Sequence, residues 1–351
     1  MKFNLQASLM ELQKQRGISA EELFLTLESA LVSAYRKNYD YNGELMIELA
    51  DDGSIAVMTY KTVIEGKILA NDEITLEDAK EISDEVESGD QIKVDITPTQ
   101  FGRVAAQTAK QVIVQKMHEV DRKQVYDRYS SRIHQLIVGK IQRFDKGIIL
   151  VELEDGLDAV IPVKDQIPGQ RFRQGEHIKA IITEVKKNTK GPQIFLSRAH
   201  SIFLERLFEQ EIPEISDKLV EVKNIAREPG VRSKIAVYSA EDHIDAVGSC
   251  VGLRGSRIQV VVNELHGEKI DIVKWNEDIK VYIANALSPA QPNKMEYQEE
   301  EHRMFVVCPD SQLSLAIGRE GQNVRLAARL TKIKIDIVKE SDYVRSLQSG
   351  E

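Results

Sequence analysis

The hexapeptide KIDIVK occurs twice without a change, at Lys269–Lys274 and at Lys334–Lys339. Upstream of each copy, at nearly the same distance, lies a GxxG, GLRG at 252–255 and GREG at 318–321. An unchanged hexapeptide that travels with its own loop marks a repeated structural unit, and this constrains the second half of the chain more than any other feature. Before the loops stand IDAVGSCV and SQLSLAI, and after them SRIQVVVNEL and QNVRLAARL, all apolar at helical spacing. Each copy therefore reads strand, helix, GxxG, helix, strand.

That order describes a KH domain, here twice in tandem. Gly252 and Gly255, like Gly318 and Gly321, let the backbone turn sharply with no Cβ in the way, so that its amides can approach a sugar-phosphate chain. The helix that follows adds its N-terminal amides and the positive end of its dipole. Arg254 and Arg257 in the first copy, and Arg319 and Arg325 in the second, would supply mobile cationic donors, with Leu253, Ser256 and Gln322 completing the candidate RNA-contact set. Glu320 places a carboxylate inside the second loop, which makes that copy the weaker of the two.

With 351 residues, three or four small domains are expected. The net charge of -9 hides an asymmetry: residues 1–100 hold 9 Lys+Arg against 20 Asp+Glu, whereas residues 101–200 hold 18 against 11. An acidic head suited to a protein partner followed by a basic middle suited to phosphates is one reading, and a set of solvated faces the other. Leu5, Leu9 and Leu12 suggest an opening helix, and Ser19 with Glu22 a capping box ahead of Leu23, Phe24, Leu27 and Leu31. ELMIELADDGSIAVMTY reads as two strands around an Asp-Gly turn, and IKVDITPT as a third ended by Pro98. From Arg103 to about Gln135 neither Gly nor Pro interrupts a helical stripe, which predicts one long connector helix. Five short strand-like runs then follow in about 65 residues, LIVGKI, GIILVEL, DAVIPV, HIKAIITEV and QIFLSR, which suggests a small β-barrel.

Four segments carry a family resemblance: FGRVAAQTAKQVI at 101–113, IAREPGVRSKIAV at 225–237, VGLRGSRIQ at 251–259 and AIGREGQNVRLAARL at 316–330. With them the chain resembles the NusA family from its first helix to about Val338. The resemblance implies a multidomain α+β protein: an α/β RNA-polymerase-binding head with its connector over 1–132, an S-one type OB barrel over 133–199, and KH domains over 200–276 and 277–345. It implies as partners RNA polymerase near its RNA exit channel, nascent single-stranded RNA and other Nus factors, and roles in pausing, termination and antitermination. Lys37, Arg103 and Lys110 match basic positions of that family's polymerase-facing surface; read alone they are three exposed cations. In the barrel Phe144 is either a base-stacking ring or a core residue, without the second aromatic usual on such a face. Lys164, Arg171, Arg173 and Arg198 are phosphate contacts or a solvated rim. Only a short tail follows Val338, so the acidic C-terminal repeats of some relatives are expected to be absent.

An enzyme is not expected. No GxxxxGK[ST] is present, the acidic runs look like turns and solvated faces, and the roughly 130 residues before the barrel are too few for phosphorolytic domains. Cys250 and Cys308 lack any CxxC or metal-ligand spacing, so neither metal nor other cofactor is expected, and both thiols read as small core residues. No apolar run reaches the roughly 18 residues that a bilayer requires, and the start lacks a signal-peptide core, which predicts a cytoplasmic protein with no membrane contact; a monomer is expected. The rival functional class is a translation or ribosome-assembly factor built from the same modules, and a more distant one an RNA-processing enzyme subunit.

Overall fold

The computed structural model describes residues 19–49, 54–68, 70–83, 85–188 and 191–349. The expected helix over Leu5, Leu9 and Leu12 and the Asp52-Gly53 turn lie outside them. The chain divides into two compact units, Met1–Val125 and Tyr126–Glu351.

In the first unit, α1 (Ala20–Tyr39) buries Leu23, Leu27, Leu31 and Tyr35, one residue per turn, and α3 (Phe101–Ser130) answers with Phe101, Ala105, Ala109 and Ile113. Leu23 and Leu27 pack with Ala109 and Ile113, while Leu31 and Tyr35 pack with Phe101 and Ala105, so the two helices run antiparallel. The alanines let the backbones approach. The capping box does not form: Ser19 sits at the N-cap without a side-chain cap bond, and Glu22 turns to Lys116 of α3, at 2.7 Å. The long strand β2 (Ile55–Ile64) pairs antiparallel with β1 (Met46–Leu49) and with β4 (Gln91–Asp95). It also pairs in parallel with β3 (Glu73–Thr75), which leads into the short α2 (Leu76–Lys80). The β3–α2 unit was not anticipated, since three strand residues give no period to read. At 30 residues, α3 is about 45 Å long, and it ends at Ser130 rather than near Gln135.

In the second unit, after the last residues of α3, comes a closed five-stranded barrel, β5 (Leu136–Asp145), β6 (Ile148–Glu152), β7 (Asp158–Ile161), β8 (His177–Lys186) and β9 (Gln193–Ser197), in the order β5-β6-β7-β9-β8. The five runs read from the sequence are these strands. Next come α4 (Ser201–Glu211), α5 (Pro213–Ser216), β10 (Glu221–Glu228), β11 (Arg232–Tyr238), α6 (Ala246–Val251), α7 (Ser256–Glu264) and β12 (Lys269–Lys274). The second copy comprises α8 (Ile279–Leu287), β13 (Lys294–Gln298), β14 (Arg303–Cys308), α9 (Leu313–Ile317), α10 (Gln322–Thr331) and β15 (Lys334–Lys339), followed by α11 (Glu340–Ser349).

The two KIDIVK hexapeptides are, residue for residue, β12 and β15, each parallel to its central strand in one register, Arg232↔Lys269 and Arg303↔Lys334. The repeat extends to an ion pair, Arg232 with Asp271 and Arg303 with Asp336. β10 and β13 complete the two sheets antiparallel to β11 and β14.

The first KH sheet is covered on both faces. Ile235 and Val237 pack against Phe203, Leu204, Phe208 and Val261 of its own helices, while Ala226, Ala236 and Val273 share a core with Tyr282, Ile283, Leu326 and Leu330 of the second copy. The link between the copies is four residues, Trp275–Asp278, since Asp278 caps α8 and Ile279 is its first residue. Trp275 stacks edge-on against Tyr238 at 5.2 Å and lies 6.4 Å from Tyr282, so the link itself is packed.

The barrel joins the first KH domain through Arg198. Its guanidinium is 1% exposed and donates to the Glu264 carboxylate at 2.9 Å, to the Glu264 carbonyl at 2.8 Å, to Gln170 at 3.0 Å and to the Lys179 carbonyl. Phe172 and Phe203 lie against it at 5.3 and 4.9 Å. Replacing Arg198 by Ala removes a buried cation together with its bonds to Gln170, the Lys179 carbonyl and Glu264, and is expected to lower stability by about 3 kcal/mol. Denaturant unfolding of the full chain reads this out; a change under about 0.5 kcal/mol would show that the joint does not rest on this side chain.

Candidate RNA interface

The two GxxG loops have the same backbone. Gly252 and Gly318 lie at φ 73, ψ 173 and φ 75, ψ 172, and Gly255 and Gly321 at φ 78, ψ 14 and φ 72, ψ 14. Arg254 and Glu320 both occupy the left-handed region, at φ 52 and φ 54, a strain of about 1 kcal/mol each that persists only where the surroundings impose it. A Cβ on Gly252 would stand 2.7 Å from Arg257 Cγ, and one on Gly318 2.7 Å from Asn323 Cβ, so the first glycine is also a packing requirement. Beyond Gly321 nothing lies within 4 Å, and beyond Gly255 only Ile258, at 3.9 Å, so the outer side of each loop is open. No side chain caps α7 or α10, and their first amides, those of Ser256 and Gln322, donate to the Leu253 and Arg319 carbonyls of their own loops.

Leu253 projects into solvent at 84% exposure, and Arg254 and Ser256 are exposed beside it. Arg257 is not the mobile donor expected. Its Nη1 donates to the Ser249 carbonyl at 2.7 Å and to both oxygens of Glu214 at 3.0 and 2.8 Å, clipping the helix before the loop to α5. Asn323, at the matching position of the second copy, does the same work: its Nδ2 donates to the equivalent Leu315 carbonyl at 3.3 Å, to Ala316 at 3.1 Å and to Leu287 of α8 at 3.0 Å. A charged clip on one copy and a neutral one on the other hold one loop shape.

At the second loop Arg319 is 92% exposed, its nearest carboxylate being Glu320 at 3.7 Å. Arg325 is leashed as well: it donates to the Glu320 carbonyl at 3.1 Å and to both oxygens of Glu228, from β10 of the first KH domain, at 2.7 and 3.2 Å. Gln322 donates to the same carboxylate at 2.9 Å, and Arg329 stands 3.6 Å away. Arg325 first, then Gln322 and Arg329, hold the Glu228 carboxyl below its ordinary range against the opposing effect of burial. Sequence reading missed Glu228 because its partners lie 94 and 97 residues away, with no local signal to join them.

On the barrel, Phe144 is 48% exposed at the end of β5, which puts it on the surface and not in the core. Lys164 is exposed beside Val163, itself 61% exposed and unremarked in the sequence, and Arg171 and Arg173 are exposed on the next loop. Arg198 is a correction. Placed among the phosphate contacts or on a solvated rim, it is instead buried and fully engaged in the joint with the first KH domain, out of reach of a nucleic acid.

In the first unit Lys37 near the end of α1, and Arg103 and Lys110 two turns apart on α3, are all exposed. Burial pushes the Cys250 thiol up to about 12 and raises that of Cys308, so both are inert. Among the described residues no group of His, Cys, Asp and Glu could hold a metal ion, and no helix is long and apolar enough to cross a membrane.

Four family descriptions match the chain: the NusA N-terminal domain over residues 4–123, the S1 RNA binding domain over 131–197, the NusA-like first KH domain over 198–275 and the NusA-like second KH domain over 279–345. The chain is similar to the transcription termination/antitermination protein NusA of Halalkalibacterium halodurans, 47% identical over 336 residues, covering 95% of this chain and 88% of that one. Its counterpart from Bacillus subtilis is 45% identical over 358 residues, covering 100% and 96%. A solution structure of the N-terminal domain of NusA from B. subtilis aligns with 35% of this chain and 99% of its own, at 38% identity and a TM-score of 0.31.

The clip and the open cation separate experimentally. Arg257→Ala is expected to lower stability by about 2 kcal/mol while leaving the salt dependence of single-strand binding as it was. Arg254→Ala should do the reverse: an unchanged melting curve and a salt slope shallower by about 0.7. Paired thermal melts and salt-titrated anisotropy check both, and a shallower slope for Arg257→Ala would return that residue to the contact set.

Proposed function

The chain belongs to the NusA family, and from that membership we propose that it binds RNA polymerase through its first unit and emerging single-stranded RNA through its second. Its function is that of a transcription elongation, termination and antitermination factor. It works by binding and not by turnover, in the cytoplasm, in company with other Nus factors.

The observation that carries the RNA assignment is the pair of GxxG loops with one backbone geometry, each opening onto an uncapped helix start and both held in one body. Amides at a helix N-terminus and a Cβ-free turn suit phosphate without demanding a base. One KH domain clamps about four nucleotides, so two fused copies with a barrel beside them should cover on the order of ten. The shared core between the copies supports a single extended surface, since little independent motion is left to either.

Asp at both Leu253 and Arg254 puts two carboxylates on the open side of the first clamp and removes its free cation. Affinity for a labelled single strand should fall about ten- to a hundredfold with a shallower salt slope. Asp at both Arg319 and Glu320 should cost less, since a carboxylate already sits there. Unchanged binding in the first variant, or a larger loss in the second, moves the main RNA contact to the barrel.

Residues 1–100 carry 9 Lys+Arg against 20 Asp+Glu and no GxxG, so 1–130 alone should hold polymerase and bind RNA poorly. Ala at Lys37, Arg103 and Lys110 together should shorten hairpin-dependent pauses in a transcription assay. Pauses as long as the parent's would remove the exit-channel role, and recovery of ribosomal subunits without polymerase from a bacterial lysate would replace the function with one in translation.

A further inference from the structure

The second loop already holds an anion. Glu228, at the end of β10 in the first KH domain, presents its carboxylate to Gln322 and Arg325, the first and fourth residues of α10, which begins where the loop ends. Arg325 meanwhile donates to the backbone carbonyl of Glu320 inside the loop, so the guanidinium held by Glu228 is fastened to the clamp itself. The carboxylate is 20% exposed in its side chain and has Arg329 as a third neighbour at 3.6 Å. The glutamine amide and the guanidinium fork form a donor set that suits a phosphate as well as a carboxylate.

We propose that Glu228 is a resident anion of the second KH clamp, a carboxylate lent by the first domain that occupies Arg325 and Gln322 until an RNA phosphate displaces it. This rests on the RNA-binding reading above and adds to it the residue that sets how strongly the second loop grips. The formal charge is consistent with such a role. Arg319, Arg325 and Arg329 stand against Glu320 and Glu228, leaving one net positive charge, and removing Glu228 would leave two. Displacement is an exchange of one anion for another on the same donors, so RNA gains less from this loop than its cations alone would give. Among the described residues no carboxylate is paired with the open cation of the first loop: Arg254 is exposed, and Glu214 engages the clip residue Arg257.

The test compares Glu228→Gln with the parent by fluorescence anisotropy on a labelled single strand of about twelve nucleotides, full-length protein, at several salt concentrations. The amide keeps the shape and a hydrogen-bond acceptor for Gln322 and Arg325, and the apolar core shared by the two domains is untouched. Affinity is expected to rise about three- to tenfold. The slope of log K against log salt should steepen by about 0.7, the amount for one more neutralised phosphate on a single strand. Glu221→Gln, at the other end of β10, changes net charge equally and should leave both quantities within error. In an Arg325→Gln background the gain from Glu228→Gln should vanish, because the lender acts through that cation. The emission of Trp275, the single tryptophan, together with a thermal melt verifies that the domains stay docked in each variant. Weaker binding in Glu228→Gln overturns the proposal and makes Glu228 a support for the clamp; a gain that persists without Arg325, or that Glu221→Gln reproduces, reduces it to a general effect of charge. A parent protein that binds no single strand at all would instead end the RNA-binding reading, and this inference with it.

Discussion

A three-stranded sheet with helices on one side leaves its other face to water, and in the first KH domain that face carries Ala226, Ala236 and Val273. The second KH domain covers it with Tyr282, Ile283, Leu326 and Leu330, which removes apolar surface from water on both partners. Much of the second unit depends on that contact. Lys234, on the covered face, is 1% exposed and keeps its ammonium beside Asp271 at 2.9 Å, while burial lowers its pKa. Burial of a cation is tolerable only with such a partner, and here the partner is its neighbour on the adjacent strand of the same sheet. The same contact carries the end of β10 to the start of α10, which is how a glutamate of one domain comes to sit at the loop of the other.

The barrel is attached by a different kind of joint to similar effect. Arg198 lies against Phe172 and Phe203 and donates to the carbonyls of Lys179 and Glu264, the second of which also accepts from Gln170. Near it Arg227 lies under Phe203 at 5.9 Å and makes a forked pair with Glu268, which also accepts from Ser233 and from the amide of Gly230. With three modules fixed in this way, the cost of aligning them falls on folding and not on binding. A strand that reaches one loop then meets the next at a fixed distance, the condition under which several weak contacts add.

The strands of the barrel and the repeated KH units were legible because their signals are local: alternation of period two, helical spacing, and a hexapeptide copied whole. The two loops were legible because glycine is used there for a conformation other residues avoid. What escaped was everything set by a partner distant in sequence. Arg198 and Lys164 look alike as basic residues of a barrel, yet one is the joint and the other is exposed, and only the position of Glu264, far along the chain, distinguishes them. Arg257 and Arg325 read as free cations because Glu214 and Glu228 could not be paired with them by spacing. Ser19 and Glu22 matched a capping motif, yet Glu22 pairs with a lysine on another helix. Phe144 was undecided for the opposite reason, since a strand end has no neighbour in the pattern to fix which way the ring faces.

The distribution of charge around the loops bears on how such a clamp can hold a moving strand. At the first loop Arg254 and Arg257 stand against Glu214, and at the second three arginines stand against two glutamates, so each has one net positive charge. On the proposed RNA-binding reading, the grip would then come less from net charge than from the partial charges of the loop backbone and helix ends, which are fixed in place and suit phosphate in any sequence. Stronger local charge would bind more tightly and release more slowly, because differences in affinity among related complexes fall mainly on the off-rate. On the proposed function a transcript would advance past the factor nucleotide by nucleotide, and each advance would require every phosphate to leave its clamp. Weak individual clamps in fixed register satisfy both requirements: the strand stays bound through the contacts that remain while any one of them is exchanged.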